Sequence, residues 1–154
     1  MQKLFHLDTE AAPYRADAAV LWCFDDRITL TVQKFLKRRG LARLDSIRVA
    51  GGAKCLASPR DESERAFLLE QLRLSRKLHG ADRIILVAHS DCGAYGGLEA
   101  FGGNAKTEVE HHHAELTRAA ARAREALEGI QVECLFVDFA GVWDIETPRS
   151  ADAS

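Results

Sequence analysis

The sequence predicts an α/β fold: a single domain on a central, mainly parallel β-sheet of four to five strands, flanked by helices. Three observations carry that prediction. Short apolar runs alternate with segments of helical period along most of the chain, the pattern of repeated β–α–β units. The run at 17–24 is apolar but flanked by charge, as expected of a strand buried on both faces. No internal repeat or linker divides the 154 residues, a length that one core can serve.

Residues 1–16 form an N-terminal segment without clear pattern, and Pro13 argues against a long helix there. Asp17 to Phe24 reads as the first strand. Ile28, Val32, Phe35 and Leu36 recur at helical spacing, predicting a helix over 28–39 that stops at Gly40. Ser46 to Ala50 is a second strand, ending in Gly51 and Gly52. Ser58, Pro59 and Asp61 read as cap, first turn and capping box of a helix that runs to His79 and ends at Gly80. Arg83 to Ala88 is the clearest strand and delivers His89. A glycine-rich stretch, 93–103, follows, with a short helical turn near Leu98. Thr107 to Glu110 offers another capping signature, for an Ala-, Glu- and Arg-rich helix closed by Gly129. Ile130 to Phe139 is a fourth strand, and the tail 144–154 is polar and expected to be mobile.

Composition narrows the function classes. A formal net charge of −2, with no long basic run, gives no argument for a nucleic-acid partner. No stretch reaches the length of apolar sequence that a membrane helix needs. Met1 to Asp8 lacks the features of a secretory signal, so the expected location is cytoplasmic, and Cys23, Cys55, Cys92 and Cys134 are expected as thiols.

Chemistry-bearing residues collect at strand ends, where parallel sheets bind ligands. Cys23 follows the first strand, Gly51 and Gly52 the second, and His89 the third, with Cys92 and Gly93 close behind. Two thiols and an imidazole suit zinc, and three protein ligands with an open fourth position is a catalytic arrangement. The glycine turns would let backbone approach a small anion. Each cysteine taken alone is more often a small buried hydrophobe, and only the coincidence of both signatures favours metal.

Cys23-x-Asp25-x-Arg27, followed about 65 residues later by His89-x-x-Cys92-Gly93, resembles the β-class carbonic anhydrases. Arg48-Val49-Ala50-Gly51-Gly52 is similar to that family's Arg-Asn-Ala-Gly segment and lies between the two motifs. The resemblance implies a β-carbonic-anhydrase-like sheet and one Zn2+ per chain on Cys23, His89 and Cys92. It implies zinc-bound hydroxide attacking carbon dioxide to give bicarbonate, with Asp25 orienting it and Arg27 holding Asp25 off the metal, or, where that pairing breaks, Asp25 closing the site as a fourth ligand. Substrate would meet Gly51, Gly52 and Gly93, and the chain would assemble as a homodimer or higher homo-oligomer. Val49 stands where the family has Asn or Ser, Asp26 where it often has a small residue, and the N-terminal arm is short. These departures keep two alternatives open: a non-catalytic zinc-binding relative, and a hydrolase of carbon disulfide or carbonyl sulfide.

Other residues invite simpler readings. His111, His112 and His113 point about 100° apart on a helix and cannot share one ion, so a solvated helix start is expected, with a proton shuttle as the alternative. Cys55 and Cys134 are expected in the core. Asp91 is expected to satisfy turn amides, and Tyr95 to have a packing role, with a place over the metal pocket as the alternative. Lys37, Arg38 and Arg39 suit a helix end without any ligand.

Overall fold

The computed structural model describes residues 1–147, which form one five-stranded sheet with helices on both faces. The strands are β1 (Ala18–Trp22), β2 (Leu44–Arg48), β3 (Arg83–His89), β4 (Gln131–Val137) and β5 (Val142–Asp144), in the order β2-β1-β3-β4-β5. The first four run parallel, and only β5 pairs antiparallel, on β4. The helices are α1 (Thr29–Arg38), α2 (Lys54–Ala57), α3 (Glu62–His79) and α4 (Ala105–Ala126).

The core lies on both sides of the sheet. Ala19, Leu21, Ile84 and Leu86 pack with α2, α3 and α4 on one face. Val20, Trp22, Ile85 and Val87 pack with Ile28, Val32 and Leu36 on the other. All five residues of β1 are buried, as the unbroken apolar run predicts. The central β3 buries Ile84, Ile85, Leu86 and Val87, each contributing about 1.5–3 kcal/mol relative to exposure.

Several element ends differ from the sequence expectation, each for a local reason. Asp61, not Ser58, caps α3, its carboxylate accepting from Ser63 N–H at 2.8 Å. Ser58 instead closes α2 and donates its hydroxyl to the buried Glu115. The other end of α3 matches the expectation, with Gly80 in the left-handed conformation after His79. Asn104, not the Thr107 signature, caps α4 through Lys106 and Thr107 N–H groups. The β2 strand begins two residues early, and the first strand stops at Trp22, leaving Phe24 exposed. The expected mobile tail needs correcting at its start. Asp144 belongs to β5, and Ile145 N–H donates to Cys134 carbonyl at 2.9 Å and packs on the core. The remainder of that expectation, residues 148–154, lies outside the described residues. No helix among the described residues is long and apolar enough to cross a membrane.

The order of the strands fixes where a ligand would go. From β1 the chain moves outward to β2, then returns across β1 to begin β3 on its other side. The seam between β1 and β3 is therefore the point where strand order reverses, the place where open parallel sheets form a crevice.

Candidate metal centre

Both motifs emerge at that seam. Cys23 follows β1, and His89 ends β3 beside it. Cys92 arrives three residues later, after a turn through Asp91 with φ at +54°. One donor atom from each of Cys23, His89 and Cys92 lies within 4.8 Å of the others, and all three residues are buried.

The donors suit a soft divalent cation. His89 Nδ1 engages the Ser90 carbonyl at 2.8 Å, which fixes the ring and leaves Nε2 for the cluster. That Nε2 is buried without a hydrogen-bond partner among the described residues, a costly state that a metal ion would relieve. Hydrogen bonding with Cys92 lowers the Cys23 thiol, whereas Cys92 is raised by the same contact and by burial. Gly51 N–H also points at the Cys23 sulfur, at 3.4 Å. Burial alone would depress His89, but the neighbouring Cys23 sulfur and the Ser90 carbonyl outweigh it and raise the imidazole. Two cysteines and a histidine thus fit zinc.

Asp25 caps the 3-10 turn Asp26–Ile28 and faces Arg27 two residues on. Arg27 Nε donates to both carboxylate oxygens at 3.0 and 3.1 Å, and Nη2 donates to Oδ2 at 2.7 Å. This guanidinium fork holds the Asp25 carboxyl down at about 2. Asp26 is exposed at the start of the turn.

Gly51 and Gly52 serve chain packing. A Cβ on Gly52 would stand 2.9 Å from Cys23 N and from the Trp22 carbonyl carbon, and one on Gly51 would crowd Lys54 and Ala94. Gly93 opens a 3-10 turn, and a Cβ there would meet nothing within 4 Å. Arg48, from the segment between the motifs, braces the first loop. It stacks on Trp22 at 4.3 Å, donates to the Cys23 carbonyl at 3.3 Å and reaches Thr29 Oγ1 at 2.8 Å.

The histidine triplet departs from expectation. His113 is exposed and His111 half-buried, but His112 is fully buried between Tyr95, Phe101 and Phe136. Neither of its ring nitrogens has a hydrogen-bond partner among the described residues. Glu108, His112 and Glu115 repeat along one face of α4 with Leu116 and Ala119, so the inward stripe was visible as a period and obscured by its polar residues. Cys134 lies in the core as expected, whereas Cys55 is half-buried and lines a cavity of about 400 Å³ with Lys54, Phe67 and Ala94. Tyr95 packs on His112 and donates its hydroxyl to Glu115 at 3.0 Å.

Burial pushes His112 down to about 4 from its ordinary 6.5. The folded state therefore binds fewer protons than the unfolded chain between those values, so stability falls as pH drops through the window. His112→Leu should remove a contribution of about 3 kcal/mol to the loss between pH 6.5 and pH 4, and leave stability near neutral pH equal or higher. Urea unfolding of both proteins across that range checks this; parallel curves would refute it.

Known proteins resemble this chain in sequence family and in fold. The family model described as "Putative carbonic anhydrase" matches residues 15–147. No curated protein matches the chain. Carbonic anhydrase from Streptococcus mutans has the same fold with a TM-score of 0.62 at 18% identity, over 90% of this chain and 88% of that one. The β-carbonic anhydrase isoform I of Trichomonas vaginalis gives 0.60 at 16% identity, over 94% and 90%. A carbon disulfide hydrolase gives 0.56 at 12% identity, over 88% and 81%. The family match spans nearly the whole described chain, and the sheet is that of these enzymes: the chain belongs to the β-class carbonic anhydrase family.

Proposed function

We propose that the protein is a zinc lyase that interconverts carbon dioxide and bicarbonate. The observation that carries this reading is the buried Cys23–His89–Cys92 cluster, with Asp25 locked by Arg27 beside it. Zinc held by those three residues would supply a Lewis acid that lets water ionise near neutral pH. The chain's own residues do the rest. Asp25, kept ionised by Arg27, is an acceptor that fixes the orientation of the attacking water toward carbon dioxide. The turns carrying Gly51, Gly52 and Gly93 adjoin the cluster and are proposed to admit the small substrate. Exposed apolar side chains, among them Phe24, Leu30 and Trp143, support assembly as a homodimer or higher homo-oligomer.

Zinc-loaded protein should accelerate carbon dioxide hydration above the buffer rate in stopped-flow, between pH values of about 7 and 9. No acceleration across that range would refute the reading. The likeness to a carbon disulfide hydrolase favours a second one, in which the same site hydrolyses carbon disulfide or carbonyl sulfide. Hydrogen sulfide release without carbon dioxide hydration would select it. About one zinc per chain with neither activity would select a non-catalytic relative.

A further inference from the structure

Arg27 is gripped from two sides, and only one grip belongs to Asp25. Its Nη1 donates to Asp91 Oδ2 at 2.9 Å, and Nη2 donates to the Asp91 main-chain carbonyl at 3.0 Å. The guanidinium also lies over the Phe139 ring, 5.3 Å from its centroid.

Asp91 is built into this position from every side. It is the one non-glycine residue with positive φ among the described residues, at +54°. That left-handed turn aims both its carboxylate and its carbonyl at one guanidinium. Its N–H donates to the buried Glu108 carboxylate at 2.6 Å, and its Oδ1 accepts from Leu98 N–H at 2.9 Å. A Cβ on Gly97 would stand 2.9 Å from that Oδ1, so glycine there keeps the carboxylate's seat clear.

We propose that Asp91 is a positioning residue: it anchors Arg27, and through Arg27 it fixes Asp25 beside the candidate metal ligands. Asp25 and Arg27 sit on one short turn and would otherwise move together. Asp91 ties that turn to the second motif, joining the loops that follow β1 and β3. The proposal rests on the roles given above to Asp25 and Arg27.

Asp91→Asn separates the anchor from the turn. Asn tolerates the left-handed conformation and keeps an oxygen for Leu98 N–H, but turns amide hydrogens toward the guanidinium. The readout is nuclear-magnetic relaxation of the Arg27 Nε–Hε group in the purified protein, which does not depend on turnover. Arg27 should be rigid in the unsubstituted protein, become mobile in Asp91→Asn and stay ordered in Asp25→Ala, where Asp91 still holds it through two hydrogen bonds. A rigid Arg27 in Asp91→Asn, or a mobile one in Asp25→Ala, overturns the proposal whether or not the protein is active. Where carbon dioxide hydration is present, kcat in Asp91→Asn should fall about ten- to a hundredfold with KM little changed, the scale of a lost hydrogen bond to a charged group. An unchanged kcat would equally overturn it. An inactive protein with an Asp91-dependent Arg27 supports the anchor and removes only the lyase reading.

Discussion

Cys23→Ser, His89→Ala and Cys92→Ser are each expected to strip the metal, taking elemental analysis from about one zinc per chain to near zero. The expectation follows from the donor set. Among the described residues, each supplies one of the three donor atoms of the buried cluster, all within 4.8 Å of one another. Losing an outer partner of a zinc ligand already costs about 10- to 100-fold in affinity, and losing a ligand removes a bond outright. Serine keeps the size of cysteine but not the thiolate, so the fold should survive both cysteine changes. Carbon dioxide hydration should fall to the buffer rate in all three. Cys55→Ser is the control: that thiol lies outside the cluster, and its variant should keep both metal and rate. Full zinc retention in the His89 variant would sink the assignment.

Gly52→Ala should be the most damaging of the glycine-to-alanine changes. The added carbon would sit 2.9 Å from Trp22 Cα, the Trp22 carbonyl carbon and Cys23 N, all main-chain atoms that cannot rotate aside. The φ of +54° adds left-handed strain for any L side chain. Together these should cost about 2–5 kcal/mol in urea unfolding. The clash falls on Cys23 itself, so metal affinity should drop as well. Gly40→Ala shares the positive φ, +79°, but meets nothing within 4 Å, and should cost only about 1–2 kcal/mol. Equal losses in the two variants would show that strain, not the close approach, governs the site.

Much of this was legible in the sequence, for reasons that differ by residue. The β1 and β3 runs announced themselves because a strand covered on both faces has no polar alternation to confuse the pattern. Cys23, His89 and Cys92 stood out because strand ends in a parallel sheet converge, so residues far apart in sequence become neighbours in space. Helix starts were harder. Ser58-Pro59 and Thr107 carry acceptable capping chemistry, and only tertiary packing reveals that Asp61 and Asn104 do the capping. A histidine triplet looks solvated in sequence, whereas the burial of His112 depends on Phe136 arriving from β4. Asp91 is a turn residue, as its sequence context suggests. Its hold on Arg27 needs the two loops to face each other, and no local pattern encodes that.

The reversal of strand order between β1 and β3 also bears on how the chain folds. Residues at the seam, such as Leu21 and Leu86, are neighbours in the sheet but are separated in sequence by α1, β2, α2 and α3. No local fragment holds all three candidate ligands, because Cys23 stands on one side of that loop closure and His89 with Cys92 on the other. Closing so long a segment is a slow, entropy-opposed step. A cation bound by all three would therefore be captured late, once the central pair of strands has zipped. Its binding energy would then act as a latch on the completed sheet, slowing its reopening more than it hastens its formation.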